Sequence, residues 1–310
     1  MNITGLESLV FGVDDLAACR QYLLDYGLDE VDHDPAVGGS YAALDGTSIV
    51  FRHSSDPSLP PLPPGAHSPC LRETVYGVAD AATLEAVRRH LAADRPVETT
   101  DDGRIHAMDD SGFAIAFQLT RKRAYSARHL GFNVPGQSPG RAPNDCAAQL
   151  DEVIKPRSLS HVVYFVPDAA KAEAFYKRLG FVTTDYFNHL GPFMRPAGTQ
   201  DHHTLFMLQR MNDHMVGCNH FTFHLGSAAE VLQHGWNFEQ KGYQSFWGPG
   251  RHVLGSNFFW YFNSPFGAVM EFDADMDLHD DNWVPRHVDP GADNSQIFLF
   301  NARDKWSPGG

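Results

Sequence analysis

The sequence predicts an α+β protein built from four similar units, two in each half of the chain. The segment LESLVFGVDDLAACRQYLLDYGL (6–28) resembles LSHVVYFVPDAAKAEAFYKRLGF (159–181): each reads as an apolar strand, an aspartate, an amphipathic helix and a glycine. Segments 71–91 and 218–236 form a second, weaker pair with the same order. Similarity at a fixed spacing indicates duplicated units, and the alternating apolar segments that follow the helices indicate antiparallel strands.

The ends of the predicted helices carry the same residue types in both halves. Asp15 and Asp168 precede the helical segments and are candidate N-caps, because a carboxylate can accept bonds from the first free backbone amides. Gly27 and Gly180 follow the helices and suit the left-handed turn that ends a helix. A single offset of 153 residues relates both pairs without a gap, which supports the duplication.

The predicted organisation has four regions. Residues 1–120 and 158–275 each hold two units, residues 121–157 form a linker, and residues 276–310 form a C-terminal tail. The proline-rich stretch 54–69 predicts an extended connector between the first two units. Two interpretations of the linking and tail segments stay open: they form a lid, or they cover the edge of a sheet.

Composition excludes several kinds of partner. The 310 residues carry 24 Lys and Arg against 38 Asp and Glu, a net charge of −14. Because phosphate binding needs a basic surface, we expect neither nucleic acid nor an anionic membrane as a partner. The N-terminal residues lack the basic and apolar regions of a signal peptide, and no apolar run is long enough to span a bilayer. A cytoplasmic protein is therefore expected.

Three residues that are far apart in the sequence, His161, His220 and Glu271, are candidates for one metal site. Each lies in a short apolar segment with strand character: SLSHVVYFV (158–166), CNHFTFHL (218–225) and GAVMEFD (267–273). Two imidazoles and one carboxylate on neighbouring strands form a facial set that suits Fe(II) and leaves positions open for a substrate and O2. We interpret Cys218, two residues before His220, as a buried thiol, since the four cysteines include no CxxC pair.

The N-terminal half lacks this ligand set. When the repeats are aligned, Ser8, Glu73 and Ala116 stand where the C-terminal half has His161, His220 and Glu271. Duplication followed by the loss of one site explains the difference, so metal binding is predicted only in the C-terminal half.

With these residues in view, the chain resembles the type I extradiol catechol dioxygenases of the vicinal oxygen chelate, or glyoxalase–bleomycin resistance, superfamily. The resemblance covers both halves and is strongest over residues 157–275. The matching segments, in the order of this family, are SHVVYFVPD, DHHTLFML, NHFTFHL, GPGRHVLGSNFFWYF and PFGAVMEF. The resemblance implies four βαβββ modules, paired into two vicinal-oxygen-chelate domains, with the metal site only in the C-terminal domain.

The resemblance also implies roles for individual residues. His161, His220 and Glu271 would bind the metal. His203 would be the acid–base residue, with His202 as a rival for that role. Tyr261 would be the catalytic tyrosine and His252 a second histidine beside the metal site.

The function implied is that of a non-haem Fe(II)-dependent dioxygenase, with Mn(II) as an alternative metal. It would cleave the ring of a catechol-type substrate in aromatic hydrocarbon catabolism and insert both atoms of the co-substrate O2. The partner would be a small aromatic diol, and a homo-oligomer is expected by resemblance. Trp247, Arg251 and Arg195 are expected near the mouth of the pocket, where an arginine binds a substrate carboxylate or simply faces solvent.

Two other functions stay open at this point. The superfamily includes isomerases and thiol transferases of the glyoxalase and fosfomycin-resistance types, which use Zn, Ni or Mn and consume no O2. The other is a non-enzymatic protein that binds an aromatic compound. His214, His234, His279 and His287 are interpreted as ordinary surface histidines.

Overall fold

The computed structural model describes residues 1–128, 131–148 and 153–301. Residues 129–130 and 149–152 of the predicted linker and residues 302–310 of the predicted tail therefore lie outside the described residues. In the described part, the strands form two mixed sheets, one of eight strands in the N-terminal half and one of ten in the C-terminal half.

The N-terminal sheet is built from two βαβββ modules. The first module comprises β1 (Ile3–Val13), α1 (Leu16–Asp25), β2 (Asp29–Asp34), β3 (Gly38–Ala42) and β4 (Ser48–His53). The second comprises β5 (Cys70–Val78), α2 (Ala81–Ala92), β6 (Glu98–Thr99), β7 (Ile105–Met108) and β8 (Ala114–Leu119). The first strands of the two modules meet antiparallel in the middle of the order β2-β3-β4-β1-β5-β8-β7-β6.

The C-terminal sheet repeats this plan. Its first module comprises β9 (Ser158–Val166), α3 (Ala169–Arg178), β10 (Phe181–Phe187), β11 (Gly191–Pro196) and β12 (Leu205–Gln209). Its second comprises β13 (Cys218–His224), α4 (Ala228–Gln240), β14 (Ser245–His252), β15 (Phe258–Phe262) and β16 (Val269–Ala274). The predicted α+β fold with four βαβββ modules is therefore confirmed.

The tail completes the C-terminal sheet at both edges. Its elements are β17 (Arg286–Val288), α5 (Ala292–Ser295) and β18 (Gln296–Leu299). β17 pairs parallel with β10, and β18 pairs antiparallel with β14, which gives the order β17-β10-β11-β12-β9-β13-β16-β15-β14-β18. Of the two interpretations of the tail, its described part fits the covering of sheet edges, which protects unpaired backbone groups.

The predicted helix ends are confirmed. Asp15 Oδ1 accepts a bond of 2.9 Å from the amide of Ala18, and Asp168 Oδ1 accepts one of 2.9 Å from the amide of Lys171. Gly27 and Gly180 adopt φ values of +97° and +90°, a region that residues with a side chain seldom enter.

A shared aromatic core joins the two halves. Tyr22 of α1 and Tyr26, which caps the end of that helix, pack against Phe238 of α4, and the ring of Tyr26 stacks on Phe272 with the centroids 4.3 Å apart. The Tyr26 hydroxyl donates a hydrogen bond to the backbone carbonyl of Glu271. A helix of the N-terminal half therefore supports the strand that carries a candidate metal ligand.

The interpretation of His234 as a surface residue is wrong. Its side chain is buried, and Nε2 lies 2.8 Å from the carbonyl oxygen of Tyr26. Burial lowers the pKa of His234 to about 4, against the opposing effect of that hydrogen bond. The residue faces the aromatic core because it lies on the same side of α4 as Val231 and Phe238.

No helix in the described ranges is long and apolar enough to cross a membrane.

Candidate metal centre

The three predicted metal ligands lie on three adjacent strands. His161 is on β9, His220 on β13 and Glu271 on β16, and β13 lies between the other two in the sheet. Thr222 of β13 pairs with His161 on one side and with Glu271 on the other. His220 precedes Thr222 by two residues, so its side chain points to the same face of the sheet.

This register brings the ligand atoms together. Glu271 Oε2 lies 3.1 Å from His161 Nε2 and 3.7 Å from His220 Nε2. One ligand atom from each of the three residues lies within 4.8 Å of the others, and all three side chains are buried. In the part of the chain that the structure describes, this is the one cluster of His, Cys, Asp and Glu with such a geometry.

The carboxylate is short of partners. Glu271 Oε1 is buried and makes no hydrogen bond within the described ranges. A buried ionised carboxylate without full pairing is costly, and a metal ion would remove that cost. Two imidazoles and a carboxylate form the donor set of Fe(II) and related divalent metals, so the residues present fit such an ion.

The ionisation of the cluster also suits a metal. Burial lowers the pKa of His220 to about 3, because the effect of burial and of His161 and His252 outweighs the attraction of Glu271. Burial alone would raise the pKa of Glu271, but the neighbouring imidazoles of His161 and His220 outweigh it and hold that pKa below its usual range. A neutral imidazole and an ionised carboxylate are the forms that bind metal.

The outer nitrogens of the two histidines are held by neighbours. His161 Nδ1 lies 2.8 Å from Ser160 Oγ, and the Ser160 hydroxyl donates to Asp273 Oδ2 at 3.2 Å. His220 Nδ1 is bonded to Asn219 Oδ1. Such partners fix ring orientation and tautomer, so Nε2 of each ring faces Glu271.

Thr222 belongs to the centre although the sequence did not identify it as a functional residue. Its hydroxyl donates to Glu271 Oε2 and lies 3.0 Å from His161 Nε2. The signal that could have identified it is its position two residues after His220, on the same face of a strand.

A chain of contacts leads away from His203. The ring of His203 lies 4.2 Å from that of His161, centroid to centroid, and its Nδ1 lies 2.9 Å from Nδ1 of His202. His202 Nε2 lies 2.7 Å from Asp185 Oδ2, and Arg286 Nη2 donates to that oxygen at 2.6 Å. His203 lines the cavity at the centre and His202 stands behind it.

Burial favours the neutral form of both His202 and His203. Burial lowers the pKa of His202 against the attraction of Asp185, and burial with the neighbouring histidines lowers the pKa of His203 well below its usual range. Asp185 accepts a hydrogen bond from Nε2–H of His202, so the neutral ring of His202 accepts a hydrogen bond at Nδ1. The Nδ1–H of His203 therefore points at His202, and Nε2 of His203 carries the free lone pair.

Tyr261 and His252 lie on the opposite side of the centre. His252 Nε2 lies 3.3 Å from the Tyr261 hydroxyl and 3.7 Å from Glu271 Oε1. Burial and the charge of Glu271 raise the pKa of Tyr261 well above its usual range, so the phenol is protonated and can donate a hydrogen bond. Five of the six predicted site residues, His161, His203, His220, His252 and Tyr261, thus line one cavity, and Glu271 contacts two of them, His161 and His252.

That cavity has a volume of about 70 Å³. It is lined mainly by apolar and aromatic side chains, which are Val163, Phe187, Leu190, Phe193, Phe206, Leu208, Trp247 and Leu254. Its described lining includes no Arg or Lys.

The prediction that Arg195 and Arg251 lie at the pocket mouth is wrong, although Trp247 does line the cavity. Arg195 is buried elsewhere and binds Asp281 at 2.8 Å. Arg251 donates to the carbonyl oxygen of Ser256 at 2.8 Å and pairs with Asp275 at 3.2 Å. Both arginines hold the segment after β16, which the sequence pattern did not place.

The C-terminal half of the chain matches a known family. Residues 158–272 match the model of the Glyoxalase/Bleomycin resistance protein/Dioxygenase superfamily. The chain is also 30% identical over 178 residues to "Metapyrocatechase 2" of Cupriavidus necator, a match that covers 57% of this chain. The match spans 54% of that relative, about half of its length.

Solved structures share the fold over nearly the whole chain. The Mn(II)-bound glyoxalase from Novosphingobium aromaticivorans is 20% identical with a TM-score of 0.73, and the match covers 94% of this chain and 88% of that one. The 2,3-dioxygenase LapB from Pseudomonas sp. KL28 is 19% identical with a TM-score of 0.71, covering 93% and 97%. At these identities the likeness concerns the fold.

Proposed function

We propose that the protein is a non-haem Fe(II)-dependent extradiol dioxygenase, a proposal supported by the match of residues 158–272 to the model of the Glyoxalase/Bleomycin resistance protein/Dioxygenase superfamily. It cleaves the ring of a catechol-type substrate and inserts both atoms of O2. One observation carries the proposal: His203 and Tyr261 line the same small cavity as His161 and His220, which form one ligand cluster with Glu271.

His161, His220 and Glu271 would hold the metal. Bound Fe(II) would supply Lewis acidity toward the diol hydroxyls and redox chemistry toward O2. Mn(II) is accepted by the same donor set. Ser160 and Asn219 keep the two imidazoles turned toward Glu271, so the ligand set is preorganised by its neighbours.

His203 is the proton carrier in this proposal. Its Nδ1–H is fixed on His202, which leaves the Nε2 lone pair to accept a proton from a substrate hydroxyl. The same atom returns the proton later in the reaction. Asp185 accepts from His202 and thereby stabilises the arrangement.

Tyr261 and His252 act on the opposite side of the substrate. The protonated phenol of Tyr261 donates a hydrogen bond to a substrate oxygen. His252 lies 3.3 Å from that phenol and orients it. Acidic and basic groups thus face the substrate from two sides, as a reaction with proton transfer in both directions requires.

The cavity favours an uncharged diol. Phe187, Phe193, Phe206 and Trp247 offer aromatic faces, and no cationic side chain is present among the described lining residues to bind a carboxylate. The volume of about 70 Å³ is far below the range of about 300–1,000 Å³ typical of ligand pockets. Lining side chains must therefore move when a ring enters.

Oxygen uptake on the metal-loaded protein tests the proposal. The protein is loaded with Fe(II) without air and given catechol, alkylcatechols and a carboxylated catechol, while a spectrum is recorded. We expect uptake equal to the substrate consumed, a yellow ring-opened product and a preference for the uncharged diols. No uptake by protein with metal bound would overturn the proposal.

Two variants serve as a matched pair. His220→Ala should lose bound metal and uptake together, whereas His214→Ala, at an exposed residue, should retain both. A parallel assay without O2, on the thiol adduct of a ketoaldehyde, tests the isomerase alternative. Turnover there in place of oxygen uptake would favour that alternative.

A further inference from the structure

The N-terminal sheet lines a second, larger cavity that is open to solvent. Its volume is about 760 Å³, which lies within the range of about 300–1,000 Å³ typical of small-molecule pockets. It lies between the sheet and the proline-rich connector, which contributes Leu59, Pro60 and Pro61 to its wall. The internal repeat relates the position of this cavity to that of the C-terminal cavity.

The strand register shows that this cavity corresponds to the candidate metal centre. Ser8 pairs with Val75 as His161 pairs with Thr222, and Glu73 pairs with Ala114 as His220 pairs with Val269. The N-terminal cavity therefore keeps the position of the C-terminal site.

Its chemistry is different. His106 lies opposite Ala116, just as Tyr261 lies opposite Glu271. Glu73 stands at the position of His220, so a histidine and a carboxylate meet where the C-terminal half has a tyrosine and a metal ligand. The apolar side chains of this wall are Val10, Val50, Leu59, Pro60, Pro61 and Met108, whereas the C-terminal cavity has Phe and Trp side chains as well as aliphatic ones.

A buried acceptor faces this cavity. Glu73 is 5% exposed, and its Oε1 lies 2.7 Å from His106 Nδ1. Within the described ranges no other hydrogen bond to the Glu73 carboxylate is found, so its second oxygen remains able to accept a proton donor from a ligand.

A cation with one unpaired nitrogen, Arg104, lines the same cavity as that acceptor. Arg104 precedes His106 by two residues, and both line the cavity. Arg104 Nε is buried and has no hydrogen-bond partner in the described part of the chain. The nearest paired acid, Asp102, lies 3.9 Å from Nη2. The wall has two other guanidinium groups. That of Arg95 is held by Asp94 and Asp110, and Arg52 Nη1 donates to the backbone carbonyl of Phe51 at 3.3 Å.

We propose that this cavity binds a small acyclic carboxylate that also carries a hydroxyl group. Arg104 binds the carboxylate, as a guanidinium does in charge-assisted pairs. The carboxylate of Glu73, held by His106, accepts the hydroxyl proton. The aliphatic wall covers the carbon chain between these groups, and the lack of aromatic faces distinguishes the ligand from the ring substrate proposed for the other half. The assignment does not depend on the proposed function.

Calorimetric titration of the full-length protein tests the assignment. The probes are the ω-hydroxyalkanoates from hydroxybutanoate to hydroxyoctanoate, each compared with the alkanoate and the alkanediol of equal length. We expect one hydroxyalkanoate length to bind best, with the alkanoate and the diol each weaker by about tenfold or more. Equal binding of the diol, or no binding of any probe, would overturn the proposal.

Variants locate the binding. Arg104→Gln should weaken the best hydroxyalkanoate by about tenfold or more, and Arg89→Gln, at an exposed arginine of α2, should leave it unchanged. Glu73→Gln should remove the advantage of the hydroxyl group. If Glu73→Gln does not fold, two measurements decide: the affinity of Arg104→Gln for the best hydroxyalkanoate, and the comparison of hydroxyalkanoate with alkanoate in the wild type. Loss of binding in His220→Ala, with Arg104→Gln unaffected, would place the ligand in the C-terminal cavity and overturn the proposal.

Discussion

Tyr261 lies directly opposite Glu271 in the antiparallel ladder of β15 and β16. The hairpin between these strands turns through residues 263–268, so a separation of ten residues in the sequence becomes a cross-strand pair. The pairing sets the phenol beside the carboxylate, whose negative charge adds to the effect of burial on the pKa of Tyr261. The spacing that suggested the tyrosine thus has a simple structural cause.

Tyr261→Phe should separate metal binding from turnover. The phenol is not part of the ligand set, so the variant should bind metal as the wild type does. The loss of one hydrogen bond to a charged substrate oxygen should lower kcat by about tenfold to a hundredfold. Metal content and oxygen uptake check this, with Tyr186→Phe, whose hydroxyl binds Glu173, as the control. Loss of metal in Tyr261→Phe would contradict the assigned role.

His203→Gln and His202→Gln distinguish the two rivals for the acid–base role. His203 lines the cavity, so its loss should lower kcat by about 10²–10⁴-fold with metal still bound. His202 only positions His203, so its loss should lower kcat by a smaller factor. The variant should keep a measurable dependence of kcat on pH. Steady-state oxygen uptake across pH decides between them. A larger loss in His202→Gln would assign the acid–base role to His202.

Arg286→Gln should destabilise the fold, because Arg286 binds a buried carboxylate, Asp185, that lies far away in the sequence. Burial would raise the pKa of Asp185, but hydrogen bonds from His202 and Arg286 lower it to about 2. Removing Arg286 leaves this buried carboxylate with fewer donors, at an expected cost of about 1.5–3 kcal/mol. Urea unfolding measures it, and Arg88→Gln, in an exposed pair with Glu85, should change stability little. Equal effects of the two variants would contradict the expectation.

Asp109→Asn should alter the pH dependence of stability. Burial raises the pKa of Asp109 to about 6, against hydrogen bonds from Phe113, Ser111 and Tyr176. Between the unfolded value of 3.8 and about 6 the folded state therefore holds more protons than the unfolded state, so stability falls as pH rises. The loss amounts to about 3 kcal/mol.

The neutral amide of Asp109→Asn removes this contribution. Unfolding in urea at about pH 4 and about pH 7 should show a smaller difference between the two pH values for the variant than for the wild type. Since other groups titrate equally in both proteins, the difference between their slopes isolates Asp109. Identical slopes would show that burial does not shift this carboxyl.

The repeat made the fold predictable because each module carries its own local signals. Asp15 and Asp168 cap helices, and Gly27 and Gly180 end them, and these signals act within a few residues of the chain. Local chemistry and periodicity were therefore enough for the modules. The candidate ligands His220 and Glu271 rested instead on the order of their surrounding segments and on the resemblance, because the strand pairing that puts them on a common face is not visible in the sequence.

What the sequence did not reveal depends on contacts between distant segments. The pairing of strands in the sheet brings Asp185 to His202, and the tail strand brings Arg286 to Asp185. His234 is buried because α1 of the other half packs on its helix, which no local pattern indicates. Arg195 was expected near the pocket, but it forms an ion pair with Asp281 of the tail instead.

The fate of labelled oxygen tests the central claim most directly. The Fe(II)-loaded protein is given its best catechol under ¹⁸O2, and the mass spectrum of the product is recorded before exchange with water. Extradiol cleavage predicts a ring-opened product that carries both labelled atoms, with the ring broken beside the diol carbons. A product without label, or one with the ring intact, would contradict the account.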